Sequence, residues 1–445
     1  MTPTYKSILQ GAGIFGAAKA VGILTALVRT KCAAMLLGPV GVGLNALFYT
    51  VQLFSSQLLG LGLSTGSVKT LSEAYASGDA AYIEQHVTRV RRWGVLCGMA
   101  AIVLLSLLAP LLSWLYFDSL HYVPHFVLLG VGVAALIITE IEQSVMRSLQ
   151  ATRRLALSML LVAVSALLFT VPFYWWLGMR GVIFAIVSCA VASAVISLWL
   201  GHQVHPFRAS SLTVSDLFSR DSAASASRRW RSFWTASQPM LRMGLAFVAT
   251  GLFLQGTELI LQSTLAMTAS LAVVGLFKAG YQCAYTYPSM IFSGVVNDYF
   301  PRLAAVPDGD VAGRRVVVVR QIRVMFLLSL PVVIGIWVLA PWVIRLLLSG
   351  EFFTLVPMVR WAILAMLCKA VYLPLGYIPL ALGKRRHFML LECMSCLIHL
   401  VVVLVGYRLN GIEGIGQGIL VGGILDLLLY VMLCRRWYGG EGAKR

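Results

Sequence analysis

Charge is what this sequence has least of, and acidic charge above all. Asp, Glu, Lys and Arg make up 12% of its 445 residues, with 17 acids against 35 bases. A soluble globular domain carries about 25% charged residues to cover its surface. With half of that, 59% hydrophobic residues and a mean hydropathy of +0.85, the chain needs lipid for most of its solvent. The composition excludes a soluble domain and defines an all-α polytopic membrane protein.

Catalytic and metal-binding patterns are missing as well. His86, His121, His125, His202, His205, His387 and His399 are scattered, and there is no Walker A lysine motif, GxSxG or HExxH. Eight cysteines lie mostly inside apolar runs. "CMSC" at 393–396 has CxxC spacing but lacks the second CxxC or the histidines of a zinc site. No cleavable signal peptide is expected, because the first apolar run is long and shows no small-residue cleavage site. Outer connections of a few residues cannot build an extracytoplasmic active site, and a glycan polymerase or ligase would carry a large outer loop. Neither an enzyme nor a metal or cofactor is expected.

Long apolar runs are what is present. Runs able to cross about 30 Å of hydrocarbon fall near 9–35, 41–66, 93–117, 123–147, 155–177, 181–201, 235–263, 269–297, 323–347, 356–381, 388–408 and 413–434. The longest connection, 202–232, is polar and rich in Ser and Arg. Short matches recur across it: "VGL" at 42–44 and 274–276, "LAPLLSWLYFDS" at 108–119 and "LAPWVIRLLLSG" at 339–350, "ATRR" at 151–154 and "GKRR" at 383–386, "GMRGV" at 178–182 and "GIEGI" at 411–415. All four pairs lie 231 to 233 residues apart. The expected architecture is twelve transmembrane helices as two six-helix bundles related by a parallel internal repeat. Its parts are an N-terminal bundle over 1–201, a cytoplasmic linker over 202–232, a C-terminal bundle over 233–434 and a tail over 435–445.

The basic surplus has a topological cause. With the N-terminus inside, twenty-five Lys and Arg fall on cytoplasmic segments and only Arg180 and Arg408 on outer ones. This asymmetry puts both termini in the cytoplasm. It also accounts for most of the isoelectric point near 9.8, so nucleic acid is not an expected partner.

Eight bases remain in or beside the spans: Lys19, Arg29, Lys31, Arg242, Lys278, Arg345, Arg360 and Lys369, against Glu140, Glu142, Glu258, Glu392 and Asp426. A lysine at bilayer depth costs roughly 2.5–3.5 kcal/mol on insertion scales, and Lys19 sits near the middle of "GAGIFGAAKAVGILTALVRTK" (11–31). Two readings of the set stand. Arg29, Lys31, Arg345, Arg360 and Arg242 either snorkel to headgroups or line a cavity. Arg29 and Lys31, two residues apart, cannot both face one cavity on a regular helix. Lys19 and Lys278 either meet an anion or pair with Glu258 or another acid.

Helical spacing groups these charges with other polar residues. Lys278, Gln282, Tyr285 and Ser289 recur at +4, +3 and +4; Gln255, Glu258 and Gln262 at +3 and +4; Asn45, Tyr49, Gln52 and Ser56 at +4, +3 and +4. Such stripes act as interhelical glue or line a water-filled cavity, and the charges among them favour the cavity.

Three stretches resemble the Wzx-type flippases. "LGPVGVGLNALFYTVQLFSSQLLGLGLSTGSVKTLSE" (37–73) is similar to their first two spans, with a Gly-Pro turn followed by Gly-hydrophobic-Gly. "VGLFKAGYQCAYTYPSMIFSGVVNDYFPRLA" (274–304) is similar to their eighth span. "LLLSGEFFTLVPMVRWAILAMLCKAVYLPLGYIPLALGKRRHFMLLE" (346–392) is similar to their C-terminal part. The likeness runs nearly end to end and is nearest the O-antigen and enterobacterial-common-antigen flippases of the multidrug/oligosaccharidyl-lipid/polysaccharide exporter superfamily.

The resemblance implies alternating access in the bacterial inner membrane, with undecaprenyl diphosphate bearing a short oligosaccharide carried from the cytoplasmic to the periplasmic leaflet. It implies a cationic cavity for the diphosphate, fitted here by Lys19, Lys278, Arg242 and Arg29. The stripe residues Gln282, Asn45 and Gln52 would serve the sugars, and Glu258 is the candidate coupling group. Implied partners are the lipid-linked oligosaccharide, membrane lipids, and a polysaccharide polymerase with its chain-length regulator. A paired-bundle transporter needs no second copy, so a monomer is expected. The alternatives are a multidrug exporter of the same superfamily driven by an ion gradient, and an assembly scaffold. The major facilitator class is disfavoured, because "STGSVKTLSEAYASGDAAYIEQ" lacks its Gly-x-x-x-Asp-Arg core.

Overall fold

The computed structural model describes residues 3–205, 223–307 and 309–438, and these form helices with no strand among them. We number the helices α1 (Pro3–Leu59), α2 (Leu63–Ser77), α3 (Ala80–Phe117), α4 (Val123–Ser148), α5 (Thr152–Leu177), α6 (Gly181–Val204), α7 (Ala223–Thr268), α8 (Leu271–Tyr281), α9 (Tyr287–Ala304), α10 (Val311–Leu347), α11 (Val356–Ala381) and α12 (Arg385–Tyr438). These are not the twelve expected runs one for one: α1 and α12 each contain two runs, and α2 follows the end of one. Seven helical stretches among the described residues are long and apolar enough to cross a membrane. Residues 206–222 of the expected linker and 439–445 of the expected tail lie outside the described residues.

The long helices are broken where the sequence breaks them. In α1, Gly38 takes a left-handed φ of 63° ahead of Pro39, a conformation that glycine adopts without a Cβ clash. Proline then starts the next helical limb with its φ already fixed. In α12, Gly411 does the same at φ 59°. The two limbs of α12 fold back on each other in antiparallel register. A Cβ on Gly406 would strike the Gly414 carbonyl, one on Gly418 would come within 2.7 Å of the Val402 carbonyl, and His399 lies against Gly422. Between α8 and α9, Gln282–Thr286 is a π turn, closed by the Tyr287 amide donating to the Gln282 carbonyl. Pro288 has no amide to offer the Ala284 carbonyl, and the wider turn accommodates that loss.

The chain forms two compact units. The first comprises residues 1–37 and 47–255, the second 38–46 and 256–445. In the first, α3 packs on α4, α4 on α6 and α5 on α6, over a core that includes Leu71, Val90, Trp93, Val133 and Ile141. Arg91, one of the twenty-five bases that charge counting assigns to cytoplasmic segments, is instead buried here. Its Nε donates to Glu142 Oε1 at 2.8 Å and its Nη2 to Oε2 at 2.9 Å, with both residues at most 3% exposed.

In the second unit α11 packs on α12 and on α10. Segment 38–46 joins it by backbone contact with α8: a Cβ on Gly275 would strike the Pro39 carbonyl and lie 2.7 Å from the Gly43 nitrogen. Gly43 and Gly275 are equivalent positions of the two "VGL" matches, and the close approach of backbones there needs residues without side chains.

Candidate functional site

One expected cation lines a cavity. Gly22, Thr25, Ala26 and Arg29 share a face of α1, and Met159, Val162, Ala163, Ala166 and Leu167 share a face of α5. Together with Gln143 of α4 they enclose about 300 Å³. The spacing of three and four residues on both helices puts each set on one side, and small residues on those faces leave the space open. Thr25 turns its hydroxyl back to the Val21 and Gly22 carbonyls, 3.0 Å each. Half-buried Arg29 has no acidic partner among the described residues. The cavity therefore offers an uncompensated guanidinium and one amide in an otherwise apolar wall. Lys31 is not part of that wall, as the two-residue spacing required.

In the second unit the expected residues meet one another. Lys278 of α8 donates to Glu258 Oε1 of α7, with side chains 16% and 29% exposed. Gln262 Nε2 donates to the same oxygen at 2.8 Å. The ion-pair alternative for Lys278 is thus the arrangement observed, and the stripe of Glu258 and Gln262 is real.

The longer stripe on the eighth run is divided. It presumes 3.6 residues per turn throughout, and the π turn inserts a residue at 282–286. Lys278 consequently faces α7, whereas Tyr285 faces α11: its hydroxyl is 3.0 Å from that of Tyr372, and Lys369 lies 4.1 Å above its ring. Gln282, half-buried, opens the turn.

The remaining expected residues scatter. Gln52 is 1% exposed, its amide packed against Gly132 of α4, and Nε2 has no hydrogen-bond partner among the described residues. Tyr49 of the same stripe is exposed while Ser56 is buried, so these residues do not form one wetted face. Asn45 is half-buried and belongs to the second unit; Arg242 is exposed on α7. Lys19 is on α1, but its side chain lies outside the described residues. Arg360 donates to the Trp337 carbonyl at 3.2 Å and lies over that ring, a packed position at the helix end.

Sequence reasoning missed a second polar cluster. Asp426, fully buried, accepts from Ser395 Oγ at 2.7 Å and lies 3.3 Å from His399 Nδ1. Tyr430 Oη donates to Glu392 at 3.2 Å. These pairs follow from the antiparallel register of α12 about Gly411, which the spacing of apolar residues does not reveal.

Comparison with known proteins places this arrangement. The structure is similar to an inward-facing multidrug resistance MATE family transporter of the MOP superfamily, at TM-score 0.77 and 15% identity over 95% of this chain and 96% of that one. It is similar to the lipid II flippase MurJ in an inward closed conformation, at 0.71 and 11% over 95% and 87%. A MOP superfamily transporter from Pyrococcus furiosus, described by the reverse polarity of its binding pocket, matches at 0.62 and 15% over 98% and 96%. The fold is that of the MOP superfamily, and the protein is a multi-pass membrane protein. No curated protein matches the sequence. The sequence model of the polysaccharide biosynthesis protein family matches residues 33–357, more than half of the chain, and the chain belongs to that family. The resemblance to Wzx-type flippases stands on both findings.

Proposed function

We propose that this protein is a flippase for undecaprenyl-diphosphate-linked oligosaccharide, such as an O-antigen or common-antigen repeat unit. It would work by alternating access in a bacterial inner membrane, with both termini cytoplasmic and the bundles divided as the repeat suggests. The observation that carries the reading is Arg29, a guanidinium without an acidic partner among the described residues, beside an apolar cavity of about 300 Å³. A diphosphate leaving water needs such donors, because an unpaired anion in a low-dielectric medium is costly, and a guanidinium gives charge-assisted hydrogen bonds of fixed geometry. The apolar wall suits the prenyl end of the same molecule.

A second reading, export of cationic drugs, has one observation in its favour. Glu258 neutralises Lys278, which leaves that cluster without positive surplus. Liposomes containing the purified protein, the lipid-linked oligosaccharide and a cationic dye separate the two readings. Glycolipid movement without dye movement is the expected result, and Arg29→Ala should slow it roughly tenfold or more, the loss of one or two charge-assisted hydrogen bonds. Dye efflux without glycolipid movement would replace the flippase by the exporter.

A further inference from the structure

A second cavity in the first unit, about 370 Å³, is lined by Thr70 of α2, by Tyr82, Gln85, His86 and Arg89 of α3 and by Ala236 of α7, among others. It lies before the apolar run of α3 begins, at the end that the charge asymmetry assigns to the cytoplasm. The three arginines here, Arg89, Arg91 and Arg92, look alike as topological charges. The structure separates two of them: Arg91 is consumed by Glu142, whereas Arg89 makes, among the described residues, a single long 3.5 Å contact with the Ala236 carbonyl.

Arg89 is half-buried and has no ion pair among the described residues. Glu73 also lines the cavity, but it lies 3.8 Å from Lys69 with both side chains well exposed, so water and that lysine screen its charge. His86 is oriented by its Nδ1, 2.9 Å from the Tyr82 carbonyl, and its ring meets the Tyr82 ring at 4.1 Å between centroids. With the proton on Nδ1, Nε2 of the neutral ring is an acceptor, suited to a hydroxyl rather than to a phosphate oxygen. The α7 wall is fixed by Trp93 Nε1 donating to Ser237 Oγ at 2.8 Å and by stacking of Trp93 on Phe233.

We propose that this cavity is a second anion site, a loading station on the cytoplasmic side in which Arg89 receives the phosphate groups of the cargo's head, with His86, Gln85 and Thr70 beside its first sugar. It rests on the flippase reading. The volume is within the range of ligand pockets with a few convergent polar groups, roughly 300–1,000 Å³. A half-buried guanidinium with open donors is the group that phosphate oxygens would complete. One anion site lies on α1 and the other on α3 of the same unit, so the cargo would bind at Arg89 before it reaches Arg29.

The test uses the full chain in phosphatidylcholine nanodiscs, with inorganic pyrophosphate as the probe and Ala236→Cys as a reporter at the cavity wall. Pyrophosphate should slow maleimide labelling of that cysteine, and adding Arg89→Ala should raise the half-protecting concentration roughly tenfold or more. Arg89→Lys keeps the charge without the fork and should fall between the two. Loss of protection counts only in a variant that keeps the parent's elution profile and unfolding midpoint; if Arg89→Ala does not, Arg89→Lys decides. Protection that is absent in the parent, or unchanged in the tested variant, overturns the site. So does protection conferred by phosphatidylglycerol in the disc but not by pyrophosphate, which would assign Arg89 to bilayer lipid. Protection with no glycolipid movement in liposomes would keep the site and remove the flippase reading. Movement with no protection would do the reverse.

Discussion

The two units handle interior charge differently. The first buries one matched pair, Arg91 with Glu142, and leaves Arg29 beside a cavity with no acid among its described lining residues. The second ties its interior charges to neighbours: Lys278 to Glu258, which also holds Gln262, Lys369 to the Tyr285 ring, Glu392 to Tyr430 and Asp426 to Ser395 and His399. A surplus of bases over acids in the sequence does not say where positive potential is. Pairing decides that, and among the described residues the cavity-lining guanidinia without an ion pair, Arg29 and Arg89, are in the first unit. The second unit reads as a network that holds its own helices together.

The largest effect should come from the matched pair. Glu142→Ala leaves a guanidinium buried at 3% exposure without the carboxylate that takes its Nε and Nη2 donors. Breaking a buried pair from one side costs about 3–5 kcal/mol. The unfolding midpoint of the purified protein should fall sharply, and far more than for Glu258→Ala, whose site retains access to water. Equal losses in the two variants would erase the contrast between the units.

A smaller effect is expected from the pair in the second unit. With side chains 16% and 29% exposed, Lys278 and Glu258 should couple by about 1 kcal/mol in a double-mutant cycle of Lys278→Met and Glu258→Gln. The double variant should be less destabilised than the two single losses added together. Strict additivity would show that the two charges act independently, and would return Lys278 to the set of cations available to an anion.

Much of this organisation is legible in the sequence because lipid imposes a simple grammar. The runs at 123–147, 155–177, 181–201 and 356–381 coincide with α4, α5, α6 and α11 within a few residues, since an apolar stretch of that length has one way to satisfy its backbone. Gly38-Pro39 reads as a break and is one. The Glu258–Gln262 face follows from the helical period. What periodicity does not encode is pairing between helices. Arg91 looks like a loop charge until the fold brings α3 to Glu142, 51 residues away. Asp426 meets His399 only through the register that Gly411 sets. The π turn was signalled by Pro288 alone, and it redirected Tyr285 from a supposed cavity stripe to Tyr372.

The contact between Tyr285 and Tyr372 is the smallest and sharpest test of the network reading. Their hydroxyls are 3.0 Å apart, and either can donate. Tyr372→Phe removes one partner and leaves the Tyr285 hydroxyl to lose its hydrogen bond inside the unit. The expected cost is about 1 kcal/mol, seen as a lower unfolding midpoint. Phenylalanine at 285 keeps the aromatic face under Lys369, so the cation–π contact survives the change and only the hydroxyl is tested. If the two hydroxyls serve each other, the double variant should be nearer to the parent than the single losses added together, because no buried donor then lacks an acceptor. If each single variant is silent, water or cargo already reaches these tyrosines. The second unit would then hold an open polar site rather than a closed network, and the contrast with the first would have to be redrawn around Lys369.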